Sequence, residues 1–193
     1  MTPNDAIQSI SQQVFPLPPE CVQALEKCAR LQTLPKKTTL VREGEHATRL
    51  MYIVEGSARA YYLKHGKDVT DWFAFEHEFI VPLQSYFLDR PNPHYIETIE
   101  PTTLLSIDRK HEQQLSEQFR EFDRLGKLAI TRTMLQLQER IVSLQFETAQ
   151  HKYESLLKTR PDIELRVPLN HIASYLGITL ETLSRIRRKV SRI

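Results

Sequence analysis

The apolar residues of the chain change their period near Asp108, and this change constrains the fold more than any other sequence feature. Between Thr38 and Ile107, short apolar runs such as LMYIV and SARAYYL are separated by glycines and other turn residues. Short strands at this spacing are typical of an antiparallel sandwich or barrel. After Asp108 the period becomes helical, and residues 1–31 show helical patterns that prolines interrupt. The sequence therefore predicts an α+β protein with an N-terminal antiparallel β-roll, similar to a jelly roll, and flanking helices.

The length of the chain and its N-terminus limit the class of protein. The 193 residues can bury one good core or two modest ones. The N-terminal stretch MTPNDAIQSI has no basic segment followed by an apolar one, and no run reaches the roughly 18 apolar residues that a membrane helix needs. We therefore expect a cytoplasmic protein without a membrane segment. Cys21 and Cys28 share one helical face and are expected to be buried and reduced.

A long segment without proline, from about residue 121 to residue 145, is expected to form one helix. Its apolar residues recur at alternating intervals of four and three, which places them in one narrow seam. The seam consists of Ile130, Met134, Leu137, Ile141 and Leu144. A second apolar row consists of Leu128, Leu135 and Val142. One interpretation is a helix that packs on its own sheet. The other, which we favour because the apolar surface exceeds what one sheet face requires, is a dimerisation helix.

Towards its C-terminus the sequence predicts two short helices joined by a tight turn. Pro168 suits the start of the first helix, Gly177 can take the positive φ that ends it, and Thr179 suits the N-cap of the second. The inward faces of the two helices consist of Ile172, Ala173, Leu176, Leu183, Ile186 and Val190. Two short helices joined by a glycine turn form a helix-turn-helix.

Positive charge is concentrated in this region. Residues 166–193 contain six cationic residues and one acidic residue, a net charge of +5, whereas the rest of the chain carries −3. A local basic surface suits contact with a polyanion.

The exposed side of the second helix carries residue types that recognise bases. Glu181, Ser184 and Arg185 share this side at helical spacing, with Arg188 at its border. An arginine fork matches O6 and N7 of guanine, a glutamate accepts from N4 of cytosine, and a serine can serve either base. We therefore expect these residues to contact bases of double-stranded DNA. Six residues around them are expected to contact the DNA backbone: Thr179, Thr182, Arg187, Arg188, Lys189 and Arg192.

Two stretches resemble a known protein family. HIASYLGITLETLSRIRRKV resembles the DNA-binding helix-turn-helix of the Crp/Fnr family of bacterial transcription regulators. LVREGEHATRLMYIVEGSARAYYL resembles the first strands of the cyclic-nucleotide-binding β-roll of that family. The resemblance implies a homodimer that binds a palindromic site through Glu181, Ser184 and Arg185, with its two recognition helices about 34 Å apart. Together with the periodicity it gives three expected domains: a sensor β-roll with N-terminal helices (1–108), connecting and dimerisation helices (109–145) and a helix-turn-helix DNA-binding domain (146–193).

The segment that corresponds to the phosphate cassette of the family departs from the family pattern. Members that bind cyclic AMP resemble one another in a Gly-Glu pair and, before the next strand, an Arg-Ser pair. Val81 and Pro82 stand in place of the first pair, and His94 and Tyr95 in place of the second. The substitutions remove an acceptor for the ribose and a cation for the phosphate, so we expect that cyclic AMP is not the ligand. A roll that binds an unidentified small-molecule effector and an empty roll are alternative interpretations.

The sequence gives little evidence for an iron–sulfur cluster, a haem or a metal ion. The Fnr-type iron–sulfur cluster takes four cysteines, whereas this chain has two, with a spacing that matches no cluster motif. A lone histidine such as His77 or His94 is more often an ordinary polar residue than a haem ligand. The sequence shows no pairing of a nucleophile with a base, no paired acids and no metal cluster. We therefore expect neither an enzyme nor a bound cofactor or metal.

The sequence leaves two functions to compare. The favoured one is a dimeric transcription regulator of Crp/Fnr type, and the alternative is a ligand-binding or protein-interaction module of the same fold that has lost specific DNA binding. Family members usually continue from the recognition helix into a β-hairpin wing, whereas the printed sequence ends at Ile193. The lack of a wing is expected to weaken DNA binding more than to alter its sequence preference.

Overall fold

The structure is a computed structural model that describes residues 1–190, and of Val190 it describes only the backbone. The N-terminal part contains the helices α1 (Pro3–Gln13), α2 (Pro19–Cys28) and α3 (Leu83–Leu88). The strands are β1 (Arg30–Leu34), β2 (Thr39–Val41), β3 (Arg49–Glu55), β4 (Ala58–Lys64), β5 (Lys67–Ala74), β6 (Phe79–Ile80), β7 (Tyr95–Thr98) and β8 (Thr102–Asp108). The later helices are α4 (Arg109–Gln118), α5 (Arg120–Phe146), α6 (Ala149–Thr159), α7 (Ile163–Arg166), α8 (Leu169–Tyr175) and α9 (Leu180–Val190).

Within residues 1–190 the strands form two four-stranded sheets, with the orders β1-β8-β3-β6 and β2-β7-β4-β5. Strand β8 pairs antiparallel with both β1 and β3, so it lies inside its sheet. A bulge between Ile53 and Glu55 shifts the register of β3 against β8. The predicted α+β fold, an antiparallel roll followed by a long helix and further helices, is confirmed.

The turn between β3 and β4 admits only glycine. Gly56 has φ +90°, a backbone conformation that is strained for any residue with a side chain. A Cβ atom at this position would lie 2.4 Å from the carbonyl oxygen of Pro101, which is far inside contact distance. The turn between β3 and β4 can therefore approach the turn between β7 and β8 this closely only because residue 56 has no side chain.

The two N-terminal helices cover the first sheet. A capping box begins α1, in which the Thr2 hydroxyl accepts from the Asp5 N–H at 3.2 Å and the Asp5 carboxylate accepts from the Thr2 N–H at 2.7 Å. The apolar core between these helices, the sheet and the start of α5 includes Ile7, Ile10, Cys21, Leu25, Tyr52, Leu105, Phe122 and Leu125. Cys21 is buried as predicted, whereas Cys28 is only partly buried, and both are free thiols.

One local prediction was wrong. The helical pattern assigned to residues 1–31 ends earlier, because β1 begins at Arg30 and pairs along its whole length with β8. Here a long-range partner overrides the local pattern. The stretch around His77 is a turn in which His77 has φ +68°. The Tyr52 hydroxyl lies 3.1 Å from Nδ1 of His77 and supports this turn.

The backbone clusters into two compact units. The first contains residues 1–60 and 73–132, and the second contains residues 61–72 together with the chain from Thr133 onward. The second unit therefore includes the tip of the β4–β5 hairpin as well as helices α6 to α9.

Candidate nucleic-acid interface

Helices α8 and α9 are joined by a turn whose geometry follows from Gly177. This residue has φ +67°, as the sequence predicts. Its N–H donates to the carbonyl of Ser174 at 3.0 Å, and the Ile178 N–H donates to the carbonyl of Ala173 at 3.0 Å. This pair of hydrogen bonds is a Schellman motif, which satisfies the last carbonyls of α8 and turns the chain sharply. The turn sets the direction in which α9 leaves α8.

Helix α9 begins with a side-chain cap. The hydroxyl of Thr179 accepts from the Thr182 N–H at 3.2 Å and lies 3.1 Å from the hydroxyl of Thr182. Leu183 and Ile186 are buried on the inward face of the helix, as the sequence predicts. The side chain of Val190 lies outside the described residues.

The side of α9 opposite this buried face carries the three residues expected to contact bases, here called the reading face (Glu181, Ser184 and Arg185). Glu181 and Arg185 are exposed and Ser184 is partly buried. The pKa of Glu181 is lowered, first because its own backbone N–H donates to the carboxylate and then because Thr179 also donates to it. The reading face therefore offers a charged acceptor, a hydroxyl and a guanidinium in sequence along the helix.

Arg187, which the sequence predicts to contact the DNA backbone, belongs to a structural network. Its Nε lies 2.5 Å from the carboxylate of Glu164, and its Nη2 donates to the same group at 3.3 Å. The hydroxyl of the buried Tyr153 donates to this carboxylate at 2.5 Å. Burial and the Glu164 carboxylate raise the pKa of Tyr153 to about 12. The network joins α6, α7 and α9, so it fixes the position of the reading face.

The other residues expected to contact the backbone lie near the reading face. Arg188 and Lys189 are exposed, and Nε of Arg188 lies 3.4 Å from the carbonyl of Ser184. Thr179 is exposed and Thr182 is partly buried. Arg192 lies outside the described residues. The exposed cations therefore continue from the reading face towards the end of α9.

The predicted seam on α5 is exposed in the single chain. Ile130, Met134 and Ile141 are 55%, 60% and 54% exposed, Leu144 is exposed and Leu137 is partly buried. The second apolar row, Leu128, Leu135 and Val142, is exposed as well. A helix packed on its own sheet would bury these residues. Their exposure therefore argues against the interpretation that α5 packs on its own sheet. Exposed apolar surface of this extent is typical of an interaction site.

The positions of the altered cassette lie at the start of α3 and at the start of β7. Pro82 is the N-cap residue of α3 and is buried, and Val81 before it is partly buried. His94 is buried, and its carbonyl accepts from the side chain of Asn92 at 2.5 Å, whereas Tyr95 is partly buried. Proline offers no backbone donor at this position. Arg90, the nearest cation in the sequence, is exposed.

Sequence reasoning missed a buried cation in the roll. Arg59 on β4 is 3% exposed, and its guanidinium lies 2.7 Å from the carboxylate of Glu97 on β7. Nε of Arg59 donates to the same oxygen at 2.8 Å. The only sign in the sequence was an arginine between two alanines in an otherwise apolar strand. The charge is compensated inside the roll by Glu97.

Among residues 1–190, no three or more His, Cys, Asp or Glu side chains lie together in a group that could hold a metal ion. In the same part of the chain, no helix has an apolar stretch long enough to cross a bilayer.

Solved structures of several bacterial proteins share this fold. FixK2 from Bradyrhizobium japonicum aligns with a TM-score of 0.74 at 19% identity, covering 85% of each chain. A mutant of CooA from Carboxydothermus hydrogenoformans aligns with a TM-score of 0.70 at 20% identity, covering 88% of this chain and 79% of the other. A transcriptional regulator of the Crp/Fnr family from Eubacterium rectale aligns with a TM-score of 0.69 at 17% identity, covering 91% and 84%. At these identities the likeness concerns the fold.

A family model described as the cyclic nucleotide-binding domain matches residues 31–119. No curated protein sequence matches the chain. The matched residues include all the strands from β2 to β8, which form most of the roll. Residues 31–119 thus match the model of the cyclic nucleotide-binding domain, and the fold as a whole matches solved structures of Crp/Fnr regulators.

Proposed function

We propose that the protein is a sequence-specific, DNA-binding transcription regulator of Crp/Fnr type that binds a palindromic site as a homodimer. The observation that carries this proposal is the reading face of α9, where an exposed glutamate, a serine and an arginine stand on one side of a capped helix. In a helix-turn-helix the second helix lies in the major groove, and its N-terminal residues contact base edges.

Each residue of the reading face has a distinct chemical role. Arg185 donates two hydrogen bonds to O6 and N7 of guanine, and the charged carboxylate of Glu181 accepts from N4 of cytosine. Ser184 adds a hydroxyl that can donate or accept. The exposed Arg188 and Lys189 neutralise phosphates and set the register on the duplex, while Arg192 is proposed to do the same from its sequence position.

The dimer forms along the seam of α5. Two copies related by a twofold axis present the same surface to each other, so a row of apolar residues on one helix meets its own counterpart. The exposure of Ile130, Met134 and Ile141 in the single chain supports this contact. A twofold protein dimer requires two half-sites in inverted orientation, which is why the proposed target is a palindrome.

Cyclic AMP is not the effector in this proposal. The cassette lacks the residues that hold the ribose and the phosphate, and the buried guanidinium of Arg59 is already paired with Glu97. A ligand that binds only the folded state raises the melting temperature. We expect millimolar cyclic AMP to leave both the melting temperature and the DNA affinity unchanged, and an increase in either would contradict this part of the proposal.

A random-duplex selection with the purified full chain tests the function. The expected product is an inverted repeat that the protein binds with an affinity that falls steeply as salt rises. If the selection returns no preferred sequence while sedimentation shows a dimer, the interaction-module alternative is supported and DNA-reading function is rejected.

A further inference from the structure

The outer edge of strand β5 needs partners from outside its sheet. In the order β2-β7-β4-β5, β5 is an edge strand among the described residues, so one row of its backbone groups points away from β4. The tip of the β4–β5 hairpin, residues 61–72, clusters in the same compact unit as α8 and α9. Hydrogen bonds between this tip and α8 would therefore help to fix the position of α8.

Ser174 on α8 bridges two backbone groups of β5. Its hydroxyl accepts from the Thr70 N–H at 2.8 Å and lies 3.5 Å from the Asp68 carbonyl, to which it donates. The backbone groups of residues two apart in a strand point to the same edge, so one hydroxyl serves a donor and an acceptor as a paired strand would. Thr70 is 1% exposed, so bulk water does not reach it while Ser174 is in place.

A second contact lies one helical turn away on the same face of α8. Nδ1 of His171 is 3.7 Å from the carboxylate of Asp68. Residues three apart share a helix face, so His171 and Ser174 present one continuous surface to the hairpin. The charge of Lys67, next in sequence to Asp68, acts at the start of α9: after the hydrogen bonds from the backbone N–H of Glu181 and from Thr179, it is a further cause of the lowered pKa of Glu181.

We propose that Ser174 is a positioning residue that anchors the helix-turn-helix to the β4–β5 hairpin and thereby fixes the orientation of the reading face. This inference rests on the proposed function. Orientation of the two reading faces in a dimer determines the distance between the half-sites that the dimer accepts. Loss of the anchor therefore broadens the accepted spacing, while the base preference within each half-site stays the same because Glu181, Ser184 and Arg185 are unchanged.

Three variants of the full chain test the anchor. Ser174→Ala removes the hydroxyl, Ser174→Thr keeps it, and Ser155→Ala makes the same change at an exposed serine of α6. The first readout, exchange of the Thr70 amide hydrogen, needs no DNA. We expect exchange about tenfold faster in Ser174→Ala and exchange like that of the parent in the other two variants.

The second readout is a selection on duplexes in which the two half-sites are separated by spacers of varied length. Ser174→Ala is expected to accept additional spacings with unchanged half-site sequences, and Ser174→Thr to restore the parental spacing. Parental exchange and spacing in Ser174→Ala would overturn the inference, as would faster exchange with an unchanged spacing. If the parent itself selects no half-site, the proposed function fails, whereas the Thr70 exchange still reports on the anchor.

Discussion

The guanidinium of Arg140 lies 3.9 Å from the centre of the Tyr175 ring and donates to the Tyr175 carbonyl at 2.8 Å. One side chain of α5 thus makes a cation–π contact with α8 and also satisfies a carbonyl near its C-terminus. Tyr175 follows Ser174 directly, so α8 is held by the hairpin through one residue and by α5 through the next. On the same side of the unit, Leu144 of α5 approaches Gly177 in the turn.

Substitution of Arg140 by glutamine should destabilise the second unit. The variant loses the cation–π contact and the charged hydrogen bond to the Tyr175 carbonyl, which together are worth about 1–3 kcal/mol. Thermal unfolding of the full chain measures this change. Arg132→Gln is the control, because its guanidinium makes an exposed contact to the Gln13 carbonyl. Equal melting temperatures of the two variants would show that the stack contributes nothing.

A charge in the seam should separate the dimer. Ile141→Glu places a carboxylate in the centre of the proposed contact, where two copies would face each other without a compensating charge. Sedimentation is expected to show a monomer at concentrations at which the parent is a dimer. Gln136→Glu adds the same charge to an exposed position away from the seam and should remain dimeric. A dimeric Ile141→Glu variant would place the interface elsewhere.

Arg185→Ala should cost about 1–3 kcal/mol of binding free energy on the selected site and relax the preference at one base position. The reason is the loss of a bidentate contact to a guanine. Affinity is measured on the selected duplex and on a scrambled one at the same salt concentration. If the variant and the parent bind both duplexes with equal affinity, Arg185 reads no base.

Arg187 and Arg188 are neighbours with the same charge. Their substitution by alanine should nevertheless have different effects on the salt dependence of DNA affinity. Arg188→Ala is expected to lower the slope of log K against log salt by about 1, since one phosphate contact is lost. Arg187→Ala should leave this slope unchanged, because Arg187 is paired with Glu164. It should instead lower the free energy of unfolding by about 1–2 kcal/mol. A reduced slope in Arg187→Ala would mean that the ion pair opens to reach DNA.

Stability should decline at alkaline pH through Tyr153. Its pKa rises from 10.0 to about 12 on folding, so above pH 10 the unfolded chain loses the proton while the folded chain keeps it. The contribution is therefore complete below pH 10 and is lost as the pH rises towards about 12. In Tyr153→Phe the slope of unfolding free energy against pH in this window should be smaller by up to one proton. Burial also raises the pKa values of Tyr52, Tyr62 and Tyr86 and of the thiols of Cys21 and Cys28, so these groups contribute a remaining slope. An identical slope in parent and variant would contradict this assignment.

Features encoded within a few neighbouring residues could be predicted from the sequence. Gly177 requires a positive φ, Thr179 suits a cap, and the spacing from Ile130 to Leu144 is helical, so the turn, the helix start and the exposed stripe followed from local rules. The antiparallel roll followed from the short apolar runs and their glycine turns, whereas the order of its strands did not.

Features that depend on distant partners were not predictable. Arg187 lies in a cluster of basic residues, so its sequence context predicts a contact with phosphate. Its partner Glu164 lies on a different helix, and the sequence does not show that the two are close. The same holds for Arg59, whose carboxylate partner comes from β7, and for Ser174, whose partners are backbone groups that carry no sequence signal. Strand β1 was missed because its pairing with β8, rather than its own composition, makes it a strand.

The turn at Gly56 separates folding from function at a single position. Even alanine would bring its methyl group into the Pro101 carbonyl, whatever the protein binds. In a library of all substitutions, we expect variants at Gly56 to misfold and variants at the exposed Arg185 to accumulate as folded protein. In a mutational scan, Gly56 can therefore serve as the reference position for loss of folding, and Arg185 as the reference position for loss of the proposed DNA recognition in a folded protein.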